Sequence, residues 1–416
     1  MIGQRGVPAS FGGVEHHVEE LGARLADLGH EVVVYCRTNY TVDRLDEYRG
    51  MRPHYFDTIN TKHFDAIAHS ARSSVAAILQ KVDVVHYHAM GPGLVAPLPR
   101  LLSRAKVVQT IHGLDHERSK WGRVASGVLG LGCWMSARVP DATVVVSKAL
   151  QDFYATSYER KTHYIPNGVE ERGDFPPGDT LRRYGLTPGS YVLFVGRLVP
   201  EKAPDMLLRA FHRLPGDTKL VIVGGSSFTE GFVKTIEELA SADPRVVMTG
   251  YLHGDPLDEL YANAGIFVLP SVLEGMPLTL LEAAAHGVPI LASDIPPHVE
   301  VLGEDGPGRR LFRMSNETDL RDHLMRMLSQ PEIEQAGGRE TRLWVHKAYS
   351  WDNAASELAE LYRKVTFGKG RAAPDPVIDL REAAPVLLRP DTGRPRTVGT
   401  SLRRAVPESS SDAAGD

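Results

Sequence analysis

The chain has 416 residues, 42% hydrophobic and 24% charged, which is enough for two domains with a core each. Forty-seven basic against 52 acidic side chains leave a formal charge of −5, which argues against nucleic-acid binding or membrane coating through net charge, so any basic site must be local. No apolar run reaches the ~18–20 residues that span a bilayer, no basic-then-apolar leader opens the chain, and Cys36 and Cys133 form no CxxC pair, so the expected compartment is the cytoplasm, with neither a disulfide framework nor a cysteine zinc site.

The opening "MIGQRGVPASFGGVEHHVEELGARLADLGH" reads as a strand end, a loop and a helix with apolar spacing at Val14, Val18, Leu21, Leu25 and Leu28. A parallel strand belongs before that loop, but only Met1 and Ile2 are there to form it, so the first strand is expected to be too short. Gly12-Gly13 at the helix start lets backbone N–H groups approach an anion, although a bare glycine pair serves a turn equally well. Strands are then predicted at 31–37, 83–88, 106–111 and 142–147. Their continuous Val/Ile/Leu runs suit parallel strands covered on both faces. The Gly-, Pro- and Asp-loaded stretch 167–190 reads as a linker. Further strands follow at 191–196, 219–225, 245–250, 265–270 and 289–293, and an amphipathic helix at 349–365. The pattern is α/β, doubly wound twice. From Gly368 onward there are six prolines and no aromatic residue, a composition expected to stay disordered.

"FVGRLVPEKAPDMLLRAF" places Arg197 and Lys202 in the loop after a strand, the edge at which open α/β sheets bind ligands. A planar guanidinium and a mobile ammonium suit two adjacent phosphates, although exposed loop charges fit the same residues. "GIFVLPSVLEGMPLTLLEAAAHGVPILAS" reads as strand, loop, helix, glycine stop and strand, with Pro277 in the first helical turn and Gly287 at its end. The free N–H groups of Leu278 and Thr279 then offer a diphosphate site. Glu274 falls in the loop and Glu282 inside the helix, where an unpaired buried carboxylate is costly and ribose hydroxyls would supply partners.

These motifs in this order, "GG" before a helix, "HG", "GRLVPEK" and "EGMPLTLLEAAAHGVPILASD", with two glutamates separated by seven residues, resemble the retaining family-four glycosyltransferases of the GT-B fold. The likeness covers roughly residues 1–366. "GQRGVPASFGGVEHHVEEL" and "HGLDHERSKWGR" further resemble a bacterial, rhamnosyltransferase-like subgroup that builds cell-envelope polysaccharide. The resemblance implies two facing Rossmann-like domains: 1–172, completed by a returning helix 350–366, for the acceptor, and 173–349 for the donor, with 367–416 as a disordered tail. It implies that Gly12, Gly13, Arg197, Lys202, Leu278 and Thr279 hold the donor diphosphate, that Glu282 holds the ribose, and that Glu274 and His112 are the catalytic pair at the transferred sugar. The implied co-substrate is a nucleoside-diphosphate sugar, with no cofactor and no metal. The implied acceptor is a glycan or lipid-linked molecule.

The sequence contains no Asp-x-Asp pair to hold a divalent cation, so Arg197, Lys202 and a helix end are expected to neutralise the departing phosphate. The segment 116–139 spaces Val124, Val128, Leu131 and Trp134 or Met135 helically near Arg118, Lys120, Arg123 and Arg138. It reads either as a helix packed on its sheet or as a basic amphipathic helix lying on the inner membrane leaflet. His16, His17, His54, His86 and His88 are spread over several elements and read as scattered structural histidines. A sugar-nucleotide epimerase and an inactive nucleotide-sugar binding module remain alternatives on the same scaffold.

Overall fold

Two parallel sheets carry the molecule, shown here by a computed structural model that describes residues 1–10, 12–40, 44–57, 65–114, 123–225 and 230–368. In the N-terminal half, β1 (Val32–Arg37) pairs with β2 (Met51–Phe56), and β3 (Val84–His88) leads a ladder through β4 (Lys106–Ile111), β5 (Ala142–Val145) and β6 (His163–Tyr164). The two ladders are joined by the residues that seemed too few to form a strand. Ile2 bridges Tyr87 in parallel. Its N–H donates to His86 O at 2.9 Å, its carbonyl accepts from His88 N at 2.8 Å, and Met1 O accepts from Tyr35 N at 3.1 Å. Counting that stub as the first strand, the order is 3-2-1-4-5-6-7, the dinucleotide-fold winding with the two-residue β6 added at its end.

The C-terminal half repeats this winding with β7 (Tyr191–Val195), β8 (Lys219–Val223), β9 (Val246–Gly250), β10 (Ile266–Leu269), β11 (Ile290–Ser293) and β12 (Arg309–Phe312), in the order β12-β11-β10-β7-β8-β9. Strands β7, β8, β10 and β11 are the buried apolar runs read from the sequence, and almost every residue in them is shielded. The sequence reading passed over β2, β6 and β12. The strands β2 and β12 lie at sheet edges, where "MRPHYF" and "RRLF" need only half-burial, and β6 is two residues long. Because β7 and β10 are neighbours whose chains wind off in opposite directions, the loops Gly196–Ala203 and Pro270–Pro277 flank a crevice at their carboxyl ends.

The last described helix, Trp351–Phe367, docks on the N-terminal half. Trp351, Ala354, Ala355, Leu358 and Leu361 share one apolar cluster with Val18, Leu21, Leu25, Val108 and Val144. Its approach runs beside the 167–172 linker, where Val169 N donates to Tyr349 O at 3.1 Å. The predicted tail lies almost wholly outside the described residues. Among those residues, no helix is long and apolar enough to cross a membrane.

Charge fixes these segments at their meeting point. Arg24 on the first helix (Gly13–Asp27) reaches Asp352 at 2.6 Å and Glu20 at 2.5 Å, and Arg49 reaches Glu20 at 2.5 Å. Burial pushes the Glu20 carboxyl up, and hydrogen bonds involving Arg49, Glu170 and Arg24 outweigh that and hold it down at about 2. A depressed folded value stabilises wherever the unfolded carboxyl is ionised, so the contribution is complete above about pH 4.5 and disappears as the pH falls toward about 2. Urea midpoints of the wild type and Glu20→Gln should therefore converge on acidification through this window, and a constant gap would remove Glu20 as the cause.

Candidate active site

The helix Leu278–His286 starts at the mouth of this crevice. Pro277 is its N-cap, in an extended conformation with φ −76 and ψ 115. The sequence reading put Pro277 inside the first turn; it stands one residue earlier. No side chain caps this end, so the N–H groups of Leu278 and Thr279 are left for a ligand. Gly287, at φ 74, closes the helix. Facing it is the uncapped start of the first helix, where Gly12 has φ 109, a backbone shape that side chains rarely adopt. A Cβ on Gly13 would lie 3.4 Å from Leu278 Cδ1, so the two helix ends meet across the gap.

Two further contacts close the gap. Gly275 lies so near the end of β4 that a Cβ there would overlap the His112 carbonyl oxygen and lie 2.6 Å from its carbon. Asn167, buried in the linker, donates from Nδ2 to Met276 O at 3.0 Å, while its Oδ1 lies 2.8 Å from Nδ1 of His17 on the first helix. Gly12, Gly13, His112, Glu274, Leu278 and Thr279 are thus brought to one place.

Lys202 sits on the short turn Pro200–Lys202 after β7, and Glu274 in the loop after β10. Val272 N donates to Glu201 O at 2.9 Å, which ties the two loops together. The Lys202 ammonium donates directly to Glu274, both side chains being nearly buried. Burial pushes the Glu274 carboxyl up, but Lys202 and then His298 hold it below the usual carboxylate range. His298 is itself brought down to about 4 by burial, and its Nδ1 lies 2.9 Å from Ser293 O. A cavity of about 250 Å³ opens beside Glu274, bounded by Val272, Asp294, Ile295 and Met314.

Glu282 proves to have a protein partner, so the expectation that it would lack one is corrected: the Tyr261 hydroxyl donates to its Oε2 at 3.0 Å. Tyr261 stacks on His286 with centroids 5.5 Å apart, His286 lies 3.2 Å from Asp258, and Asp258 accepts from Arg172 of the linker. Glu282 is half-buried on the crevice side and also acts electrostatically on His253. Arg197, in the loop after β7, acts on the Tyr251 hydroxyl together with Arg5 from the opposite half. Tyr251 and His253, just after β9, stack loosely at 6.2 Å.

Residues 11–172 match the family described as Glycosyltransferase Family 4, and residues 184–344 match Glycosyl transferases group 1. This is a GT-B glycosyltransferase. It is 27% identical to the alpha-maltose-1-phosphate synthase of Mycolicibacterium smegmatis, over 86% of this chain and 97% of that protein. It is also 27% identical to a GDP-mannose-dependent phosphatidylinositol monomannoside mannosyltransferase of Mycobacterium tuberculosis, over 86% of this chain and 96% of that one. In structure it is similar to Anabaena HepE in complex with UDP and glucose, with a TM-score of 0.73 at 16% identity over 85% of this chain and 97% of that one.

The histidines of the glycosyltransferase correct the expectation of scatter. His17, His88 and His112 converge, each offering a ligand nitrogen within 4.8 Å of the others. His86 stacks on His88 at 4.3 Å, whereas His54 packs against Tyr35 and Phe56. Burial holds His17 down at about 4 and His88 well below its ordinary value. Asn167 and Tyr261 were missed by sequence reasoning, and no local signal marks either. In the helix Arg123–Arg138, Gly132, Cys133, Ser136 and Ala137 face inward, while Val128, Leu131 and Trp134 are exposed. The helix is thus packed on its small-residue face, with Cys133 and Ala137 in the core, while Val128, Leu131 and Trp134 of its apolar stripe stay exposed. Arg118 and Lys120 lie outside the described residues.

Proposed function

We propose that this glycosyltransferase moves a hexose or deoxyhexose from a nucleoside-diphosphate sugar to a glycan or lipid-linked acceptor, with retention of configuration and without a metal ion or cofactor. The observation that carries the reading is the meeting of two uncapped helix starts with the Lys202–Glu274 pair at one crevice. The donor would run along it. Its base lies toward Tyr251 and His253, its ribose on Glu282, its diphosphate against Leu278, Thr279, Gly12, Gly13, Arg197 and Lys202, and its sugar beside Glu274 and His112. Oriented N–H groups and cations aimed at the β-phosphate stabilise the charge that develops as the glycosyl bond breaks. Front-face attack, with a departing phosphate oxygen taking the acceptor proton, accounts for retention without a protein nucleophile.

In this reading residues 1–172 with 350–366 form the acceptor lobe and 173–349 the donor lobe, hinged near residues 170–190 and 345–350. Closure excludes water from a hydrolysable donor. The nucleotide dependence of named relatives, GDP-mannose among them, supports a sugar-nucleotide donor, and the motif likeness to rhamnosyl enzymes supports the deoxyhexose option. The exposed Val128, Leu131 and Trp134 stripe supports peripheral contact with the inner leaflet where a lipid-linked acceptor resides.

The reading is tested by screening nucleoside diphosphates for thermal stabilisation and then following the anomeric configuration of transferred sugar by NMR. Nucleotide binding with no turnover of any donor would overturn it, and donor interconversion without acceptor would reveal an epimerase. Glu282→Ala should leave pyrophosphate affinity unchanged and weaken the whole nucleotide by about tenfold, the worth of one or two hydrogen bonds to a charged group. Equal losses for both ligands would take Glu282 away from the ribose.

A further inference from the structure

The transfer reaction uses His112, but it has no need of His17 and His88 beside it. These three imidazoles come from the first helix and from the ends of the adjacent strands β3 and β4. We propose that His17, His88 and His112 form a binding site for Zn²⁺ on the floor of the crevice, and that zinc bound there arrests turnover by occupying His112. The arrest rests on the role assigned to His112 above, whereas the binding does not.

Three observations carry the site. The ligand nitrogens all lie within 4.8 Å of one another, and His88 Nδ1 and His112 Nε2 share a hydrogen bond at 3.2 Å, whose proton zinc would displace, at about the spacing of two nitrogens on a tetrahedral zinc with bonds of ~2.0–2.1 Å. Asn167 fixes the state of His17. Its Nδ2 donates to Met276 O at 3.0 Å, so its Oδ1 faces His17 and accepts from Nδ1–H at 2.8 Å. The lone pair is thereby left on His17 Nε2, a buried atom with no hydrogen-bond partner among the described residues. A carbonyl oxygen that fixes the tautomer and aims the other nitrogen is the usual support of a metal-binding histidine. Finally, the donors are all imidazole, which favours Zn²⁺ and disfavours Mg²⁺, Ca²⁺ and Mn²⁺. His112 is only half-buried, so a fourth coordination position faces the crevice, as in three-histidine sites that keep one ligand exchangeable.

The test uses the tag-free full chain stripped with a chelator and titrated with zinc against a chromophoric competitor. The expected result is about one zinc per chain, no comparable uptake of Mg²⁺, and a strong tetrahedral visible band when Co²⁺ is substituted. Asn167→Ala should weaken zinc about 10–100-fold, and His17→Gln by at least as much. A wild type that retains no zinc, an octahedral cobalt spectrum, or unaltered affinity in both variants overturns the site. Should a variant fail to fold, the wild-type cobalt spectrum decides alone. Zinc should also abolish sugar transfer, with recovery on adding chelator, and full turnover at saturating zinc overturns the arrest. A chain that binds zinc as described yet transfers no sugar from any donor overturns the transferase reading while leaving the metal site standing.

Discussion

Lys202→Ala lowers turnover by about 10²–10³-fold, the cost of removing one preorganised donor from developing charge, and it also destabilises the fold. The second effect arises because the Lys202 ammonium donates directly to Glu274 and both side chains are nearly buried. Breaking such a pair from one side strands a charge away from water, at a cost of about 3–5 kcal/mol. Glu274 then loses the first of the groups that hold its carboxyl down, and burial drives it upward unopposed by the lysine. The sign follows: in the wild type, stability from Glu274 is present above the ordinary carboxylate range and fades as the pH drops through its depressed value, and the variant lacks that dependence. Adding Glu274→Gln to Lys202→Ala removes the stranded charge, so the double variant should regain most of its denaturation midpoint while remaining inactive and a weak binder of nucleoside diphosphates. Recovered turnover in the double variant would show that Lys202 serves only to neutralise Glu274. Denaturant unfolding and calorimetric titration with a nucleoside diphosphate separate the two effects.

The second large effect is expected at a residue with no functional group. Gly275→Ala introduces a methyl that overlaps the His112 carbonyl oxygen, 2.6 Å from the carbonyl carbon and 3.1 Å from Gly113 N. All three are backbone atoms, which cannot swing aside as a long side chain does. The loop carrying Glu274 must withdraw from the end of β4, and displacement of reacting groups by ~1 Å costs about 10²-fold in rate. Of the diphosphate groups, Arg197, Lys202, Leu278 and Thr279 belong to the same half as Gly275 and move with it, and only Gly12 and Gly13 are left behind, so affinity for a nucleoside diphosphate should fall by less than about tenfold, far less than turnover. Wild-type turnover in Gly275→Ala would mean that the approach of Gly275 to His112 is irrelevant to transfer.

The parts of the site that lie within one strand–loop–helix unit were legible in the sequence. Arg197 and Lys202 follow β7, and Glu274, Leu278, Thr279 and Glu282 follow β10; the positions of these loops are dictated by strands whose apolar runs are unmistakable. What the sequence hid depends on partners distant along the chain. Tyr261 reaches Glu282 from the preceding helix, and Asn167 links His17 to Met276 across 150 and 109 positions. The three histidines fall in separate segments, and they meet only because β3 and β4 are adjacent parallel strands ending at the same edge as the start of the first helix. Edge strands escaped for another reason: β2 and β12 are half-wet, so selection for an apolar run is relaxed there.

The docking of Trp351–Phe367 against Val18, Leu21 and Leu25 bears on biosynthesis. The helix Gly13–Asp27 keeps part of its apolar face uncovered until Trp351–Phe367 has been translated, more than three hundred residues later. A nascent chain of this topology must wait for that distant helix, and during the interval the face is open to chaperones and to neighbouring nascent chains.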